Sequence, residues 1–173
     1  VVAMLAEILT KAGKNFGLGG NLDGDNFKPA LDLIAEGAKD LYLLELSSFQ
    51  LETTQNLGAA VATILNLSID HMDRYEGIAD YHRAKQKIFT GCKQVVINRD
   101  DKESFPLNNS DAAVWDFGFG RAGVNGLGLL EEDGDLYLAY QLEKIVSVNQ
   151  LKVFGQHNIL NVLAAVALAM AID

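Results

Sequence analysis

The stretch "VATILNLSIDHMDRYEG", residues 61–77, sets an apolar run against an abrupt polar cluster. Val61 to Leu67 reads as a buried strand, and beyond it Asp70, His71, Asp73 and Arg74 crowd into five positions. "LYLLEL" (41–46) and "QVVIN" (94–98) read the same way, as strands covered on both faces should. Helical patterns lie before and between them. Val1–Lys11 is stopped by Gly13, Pro29 opens a helix through Glu36, and 77–90 carries Ile78, Tyr81, Lys85 and Ile88 on one stripe. Strand and helix in alternation predict an α/β fold, a mostly parallel sheet with helices on both faces. Residues 113–148 differ. Two apolar runs flank Asp133-Gly134, a hairpin turn pair, so this region is expected as antiparallel strands appended to the sheet edge.

The 173 residues are 49% hydrophobic, which suits one domain with a real core. Lys plus Arg is 14 against 23 Asp plus Glu, a net charge of −9. So acidic a domain is a poor match for nonspecific nucleic-acid or anionic-membrane binding. Cys92 stands alone, which excludes an internal disulfide and a thiolate metal cluster and suits the cytoplasm. No apolar run reaches the roughly 18 residues of a membrane span. The first helix lacks a capping residue and the last, "NILNVLAAVALAMAID", runs out without a stop. Both ends read as cut from a longer chain.

In sheets of this kind ligands sit beyond the carboxyl ends of the strands. Three such ends are polar: "GLGGN" (17–21), "ELSSFQ" (45–50) and "NLSIDHMD" (66–73). Glu45 interrupts an apolar strand, where an unpaired carboxylate is costly; it is paired, metal-bound, or tipped out to cap the next turn. Ser47 and Ser48 suit caps. His71 suits a metal or phosphate contact, or a bond to Asp70 or Asp73. Lys85, on an apolar stripe, has to snorkel, pair or be modified, whereas His82 is expected in solvent. The glycines of 17–20 could cradle a phosphate or make a tight turn. Asn158 and Asn161, three apart near the start of the last helix, could read a purine edge or cap the helix. No G-x-x-x-x-G-K-[ST] loop occurs in the 173 residues.

Taken in order, "LELSSFQLETT", "ATILNLSIDHMDRY", "YHRAKQKIF" and "GQHNILNVLAA" resemble the central ATP-binding domain of the Mur ligases. The resemblance covers nearly the whole chain, most loosely 100–145. It implies a P-loop-type, Rossmann-like sheet and an ATP-dependent acid–amino-acid ligase of peptidoglycan precursor synthesis. "ELSSFQLE" narrows it to the member that adds D-glutamate to UDP-N-acetylmuramoyl-L-alanine through an acyl phosphate. The resemblance places Glu45 on the magnesium that bridges the ATP phosphates. It places His71 on a second magnesium beside the substrate, where manganese could serve, and makes Lys85 a carbamylated lysine. Asn21, Ser47 and Gln50 fall where the family contacts the UDP-muramoyl substrate, and Asn158 and Asn161 on the adenine side. The family's phosphate loop precedes the helix that begins here at Val1, and its uridine-binding and C-terminal domains lie outside these residues. The chain alone is therefore expected to be inactive, and the intact protein a cytoplasmic monomer. The alternatives are a sister ligase, a folylpolyglutamate synthase-like enzyme, or a non-catalytic nucleotide-binding or interaction module.

Overall fold

Helix and strand alternate through the first hundred residues of the computed structural model: α1 (Val2–Lys11), β1 (Phe16–Gly20), α2 (Ala30–Ala35), β2 (Leu41–Glu45), α3 (Ser48–Thr53), β3 (Val61–Ile64), α4 (Ile78–Gln86) and β4 (Gln94–Asn98). Four strands and a long helix follow: β5 (Ala113–Phe117), β6 (Gly126–Glu132), β7 (Asp135–Tyr140), β8 (Glu143–Ser147) and α5 (Gln156–Ile172). The structure describes residues 1–22, 28–68, 73–108 and 111–172.

The strands form two sheets. β1 and β2 pair in parallel from Phe16↔Leu41 to Gly20↔Glu45. The other six lie in chain order, β3 to β8. Strands β3 to β6 are parallel, and β6-β7-β8 antiparallel. The expectation of antiparallel strands from residue 113 onward is thus corrected: β5 and β6 extend the parallel part, and the antiparallel part begins at the β6–β7 hairpin. That hairpin turns at Asp133 and Gly134, both at positive φ as a type I′ turn requires.

The side chain of Arg99 explains how β6 returns parallel to β5 after only eight residues. It pairs with Asp116 and donates to the carbonyls of Gly118 (3.2 Å), Arg121 (3.3 Å) and Leu127 (3.1 Å), drawing the returning loop inward. A Cβ on Gly126 would overlap Asp116 Oδ1, and one on Gly128 the carbonyl of Gly120, so this close return needs both glycines.

Each face of the large sheet has its own core. On one face α5 buries Leu163, Ala164, Ala165, Ala167 and Ala171 against Val96, Phe117, Leu127 and Leu138, with Leu5 and Leu9 of α1 beside them. Alanines let this helix lie close to the strands. On the other face Phe89 and Cys92 pack on Ala62, Ile64 and Val95. The small sheet is less covered than the apolar run "LYLLEL" predicts. Tyr42 is 40% exposed, and its side chain lies over Gly17, where a Cβ would come within 2.7 Å of the ring. Of the run 61–67 only Val61–Ile64 is strand. Asn98 Nδ2 takes the carbonyl of Leu65 (2.8 Å), and Asp101 Oδ2 accepts from the amide of Leu67 (2.7 Å), so side chains replace the ladder there.

Candidate functional site

The ends of β1 and β2 meet because the two strands are in register. Gly20 lies opposite Glu45, and the Asn21 amide donates to the Glu45 carbonyl at 2.7 Å. Gly20 has φ +100, and a Cβ there would overlap that same carbonyl oxygen. The Glu45 side chain is exposed at this end, so a compensating buried partner is unnecessary. Two residues on, Ser47 caps α3 through a capping box. Gln50 N donates to Ser47 Oγ (3.3 Å) and Ser47 N donates to Gln50 Oε1 (2.9 Å). The structure therefore brings Asn21, Glu45, Ser47 and Gln50 together at one strand end. It gives Ser47 and Gln50 Oε1 a local structural task as well; Gln50 Nε2 takes no part in the box.

An aromatic ladder joins α3 to α4. Arg74 grips the Glu52 carboxylate (Nη2–Oε2 2.7 Å, Nε–Oε1 3.4 Å) and lies over the Phe49 ring at 4.7 Å. Phe49 stacks on Tyr75 at 6.4 Å, and Tyr75 meets Tyr81 edge-on at 5.4 Å. Lys85 Nζ, half-buried, lies 5.7 Å from the Tyr81 ring centre. Lys87 Nζ donates to the Glu52 carbonyl at 2.6 Å. The loop after β3 is thereby tied to the helix after β2, which links two of the three polar strand ends. The Arg74 hydrogen bond holds Glu52 below the usual carboxylate range, and burial raises the Tyr75 phenol. The hydroxyls of Ser48 and Tyr75 are both buried without a hydrogen-bond partner among the described residues.

The end of β4 carries a second device, which sequence reading missed. Asn98, 2% exposed, and Asp101 hold the exit of β3, as described above. Asp100 Oδ2 accepts from the amide of Phe119 (2.7 Å) while Arg99 gathers the β5–β6 loop. Burial pulls Arg99 below its ordinary value, with Asp100 opposing that shift. The run "NRDD" (98–101) is thus a clasp between neighbouring strand exits. Its signal was available: four polar residues at the end of a buried strand and just beyond it have many backbone groups within reach.

The remaining candidates stand apart. His71 lies outside the described residues. Asn158 and Asn161 are half-buried in the first two turns of α5. Asn158 Nδ2 donates to the Phe154 carbonyl at 2.8 Å, a local bond of the kind a helix start uses. His82 departs from expectation: its side chain is 18% exposed, 3.6 Å from Glu103, because residues 102–104 fold over it. Among the described residues no three His, Cys, Asp or Glu side chains cluster as a metal site. No helix among them is long and apolar enough to cross a membrane. A surface concavity lined by Arg121, Leu129 and Leu136 lies on the β6–β7 hairpin and includes none of the candidates.

Residues 1–169 match the family model of the Mur ligase middle domain. The chain is 50% identical over 172 residues to the UDP-N-acetylmuramoylalanine–D-glutamate ligase of Pseudomonas savastanoi pv. phaseolicola, covering 99% of this chain and 37% of that protein. Identity to the enzyme of the same name from Pseudomonas aeruginosa is 49%, with the same coverage. The chain thus spans a little over a third of the length of these relatives. Among solved structures it matches the UDP-N-acetylmuramate–alanine ligase of Thermotoga maritima with a TM-score of 0.64 at 23% identity, covering 99% of this chain and 38% of that one. A pseudomurein peptide ligase type C from Methanothermus fervidus gives 0.72 at 18% identity, with 99% and 43% covered. At such identities the likeness is one of fold.

Proposed function

The chain belongs to the Mur ligase middle-domain family, and from that premise we propose that it is the ATP-binding part of a longer ligase joining D-glutamate to UDP-N-acetylmuramoyl-L-alanine. The observation that carries the reading is the strand end where Glu45 stands exposed beside Asn21, directly before the capped "SSFQ" turn. Half-identity to D-glutamate ligases over nearly the whole chain supports the choice of amino acid. On this reading the full protein is a cytoplasmic monomer of peptidoglycan precursor synthesis, and these residues need the rest of it to turn over.

Glu45 offers the oxygen donor that magnesium prefers. Bound magnesium, or manganese, with ATP would supply charge neutralisation for phosphoryl transfer to the substrate carboxylate. Glu45 would hold that cation, and His71 and a carbamylated Lys85 would complete the donor set. A lysine ammonium has no acceptor, so Lys85 ligates only after gaining one. Asn21 fixes the Glu45 backbone and, with Ser47 and Gln50, faces the UDP-linked substrate. Asn158 and Asn161 take the adenine side. The test is phosphate release by the full-length protein given ATP, UDP-N-acetylmuramoyl-L-alanine and single amino acids. Release that requires D-glutamate supports the reading. Release that instead requires another amino acid makes the protein a sister ligase, and no release under any condition overturns the enzyme assignment.

A further inference from the structure

We propose that Arg74 is a positioning residue for the UDP-linked substrate: it orients α3, the short helix that carries Gln50 and is capped by Ser47. Its premise is the reading above that Ser47 and Gln50 face that substrate. α3 has six residues, too few to be stable alone in water, so tertiary contacts set its direction. Ser48 and Leu51, three apart, are both buried and seat the helix on the core. Lys87 Nζ holds its far end through the Glu52 carbonyl at 2.6 Å. Phe49 and Glu52, again three apart, form the next face. Arg74, in the connection from β3 to α4, holds both of them. Its guanidinium meets the Glu52 carboxylate at two points (2.7 and 3.4 Å) and lies 4.7 Å from the Phe49 ring centre. Gln50 is exposed, and helix geometry turns it well away from the face that Arg74 grips.

The buried face fixes where α3 sits, and the Arg74 face fixes how far it is rolled about that seat. A roll that releases Arg74 carries Gln50 round with the helix, and with it the box in which Ser47 and Gln50 hold each other. The Arg74 and Glu52 side chains are 53% and 28% exposed, so their ion pair adds little to overall stability. Its effect is on direction. A guanidinium presents a forked donor edge and a flat face together, which an ammonium does not. Losing an exposed ion pair and a cation–π contact together shifts the orientation of α3 by about three- to thirtyfold. Apparent affinity falls with the fraction of protein in the binding-competent orientation, so substrate binding weakens by up to that factor. ATP, which the reading above places at Glu45 and α5, is not carried by this roll.

The experiment measures the calorimetric Kd for UDP-N-acetylmuramoyl-L-alanine, with KM for ATP and kcat, on the full-length protein as wild type, Arg74→Ala, Arg74→Lys, Glu52→Gln and the Arg74→Ala/Glu52→Gln pair. Arg74→Ala should weaken binding of the UDP-linked substrate about three- to thirtyfold and leave KM for ATP unchanged. Arg74→Lys, which keeps the charge but neither the fork nor the flat face, should fall between it and the wild type. The paired variant should bind no more weakly than Arg74→Ala alone, because both substitutions break one contact. Equal Kd in wild type and Arg74→Ala overturns the positioning role. So does a fall in kcat with Kd and KM unchanged, or a parallel rise in KM for ATP, since either marks a general loss of structure. Losses that add in the paired variant also overturn it, because Arg74 would then act on the substrate without Glu52. A wild type that does not bind UDP-N-acetylmuramoyl-L-alanine overturns the proposed function itself, and this role with it.

Discussion

Replacing Gly20 by alanine tests whether the β1–β2 register positions Glu45. Gly20 has φ +100 and Gly37 has φ +97, so alanine at either position meets the same backbone strain, about 1–2 kcal/mol. Their surroundings differ. A Cβ on Gly37 has nothing within 4 Å, whereas one on Gly20 would overlap the Glu45 carbonyl oxygen and stand 3.1 Å from the Glu45 amide nitrogen. That carbonyl also accepts the Asn21 amide at 2.7 Å, and the Gly20 amide donates to Lys28 at 2.9 Å. Backbone atoms cannot rotate aside as a side chain can, so β2 has to shift at Glu45. Forcing such an overlap typically costs about 1–3 kcal/mol beyond the φ strain. Gly37→Ala serves as the control, and the difference between the variants isolates the contact. Urea unfolding followed by circular dichroism and by fluorescence of Trp115, the single tryptophan, measures it; coincident transitions are needed for a two-state reading. Gly20→Ala should fall about 1–3 kcal/mol below Gly37→Ala, and in the full-length protein it should lose turnover that Gly37→Ala retains. Equal stabilities within about 0.5 kcal/mol, with equal turnover, would refute the positioning role of this register.

Asp101→Ala should destabilise the chain by about 1 kcal/mol by leaving the half-buried Leu67 amide without its partner, while Asp101→Asn, which can still accept that bond, should recover most of the loss in the same urea assay. Glu52 is held below its usual range by Arg74, so it stabilises the fold above its unfolded value, about 4.3, and that contribution is lost as pH falls through the lower folded value. Glu52→Gln should therefore be less stable than wild type at neutral pH and lack that part of the acid-side loss; parallel curves for the two proteins below pH of about 4 would count against it. Asn158→Ala should raise KM for ATP in the full-length protein if the amide serves adenine. An unchanged KM with a lower melting temperature would assign it to the Phe154 carbonyl alone.

Local spacing was enough to read much of this molecule. The Asp133-Gly134 turn needs two residues at positive φ, and that pair names itself. Tyr81 and Lys85 at i and i+4 share a face by helix geometry, and they meet in the structure. The Ser47–Gln50 box spans four residues and is equally local. What escaped notice joins distant positions. Arg99 reaches Asp116, two carbonyls of the β5–β6 loop and one in β6, some twenty residues away, and nothing in the spacing of "NRDD" says which strand will arrive beside it. The Asp133-Gly134 hairpin predicts antiparallel strands over 113–148, but it governs only its own two strands; β5 and β6 pair in parallel, a return that the Arg99 network permits. The apolarity of β2 predicts cover on both faces, yet among the described residues it pairs with β1 alone and leaves Tyr42 exposed. His82 is expected in solvent, but the 102–104 turn covers it from outside the helix.

Anomalous diffraction from crystals of the full-length protein soaked with manganese and a non-hydrolysable ATP analogue tests the central claim, that Glu45 holds the nucleotide's cation. The account predicts a manganese peak at coordination distance from a Glu45 carboxylate oxygen, bridging to the phosphates, and its disappearance in Glu45→Ala crystals that still diffract. A manganese peak that leaves Glu45 uncoordinated, or one that persists unchanged in Glu45→Ala, would contradict it.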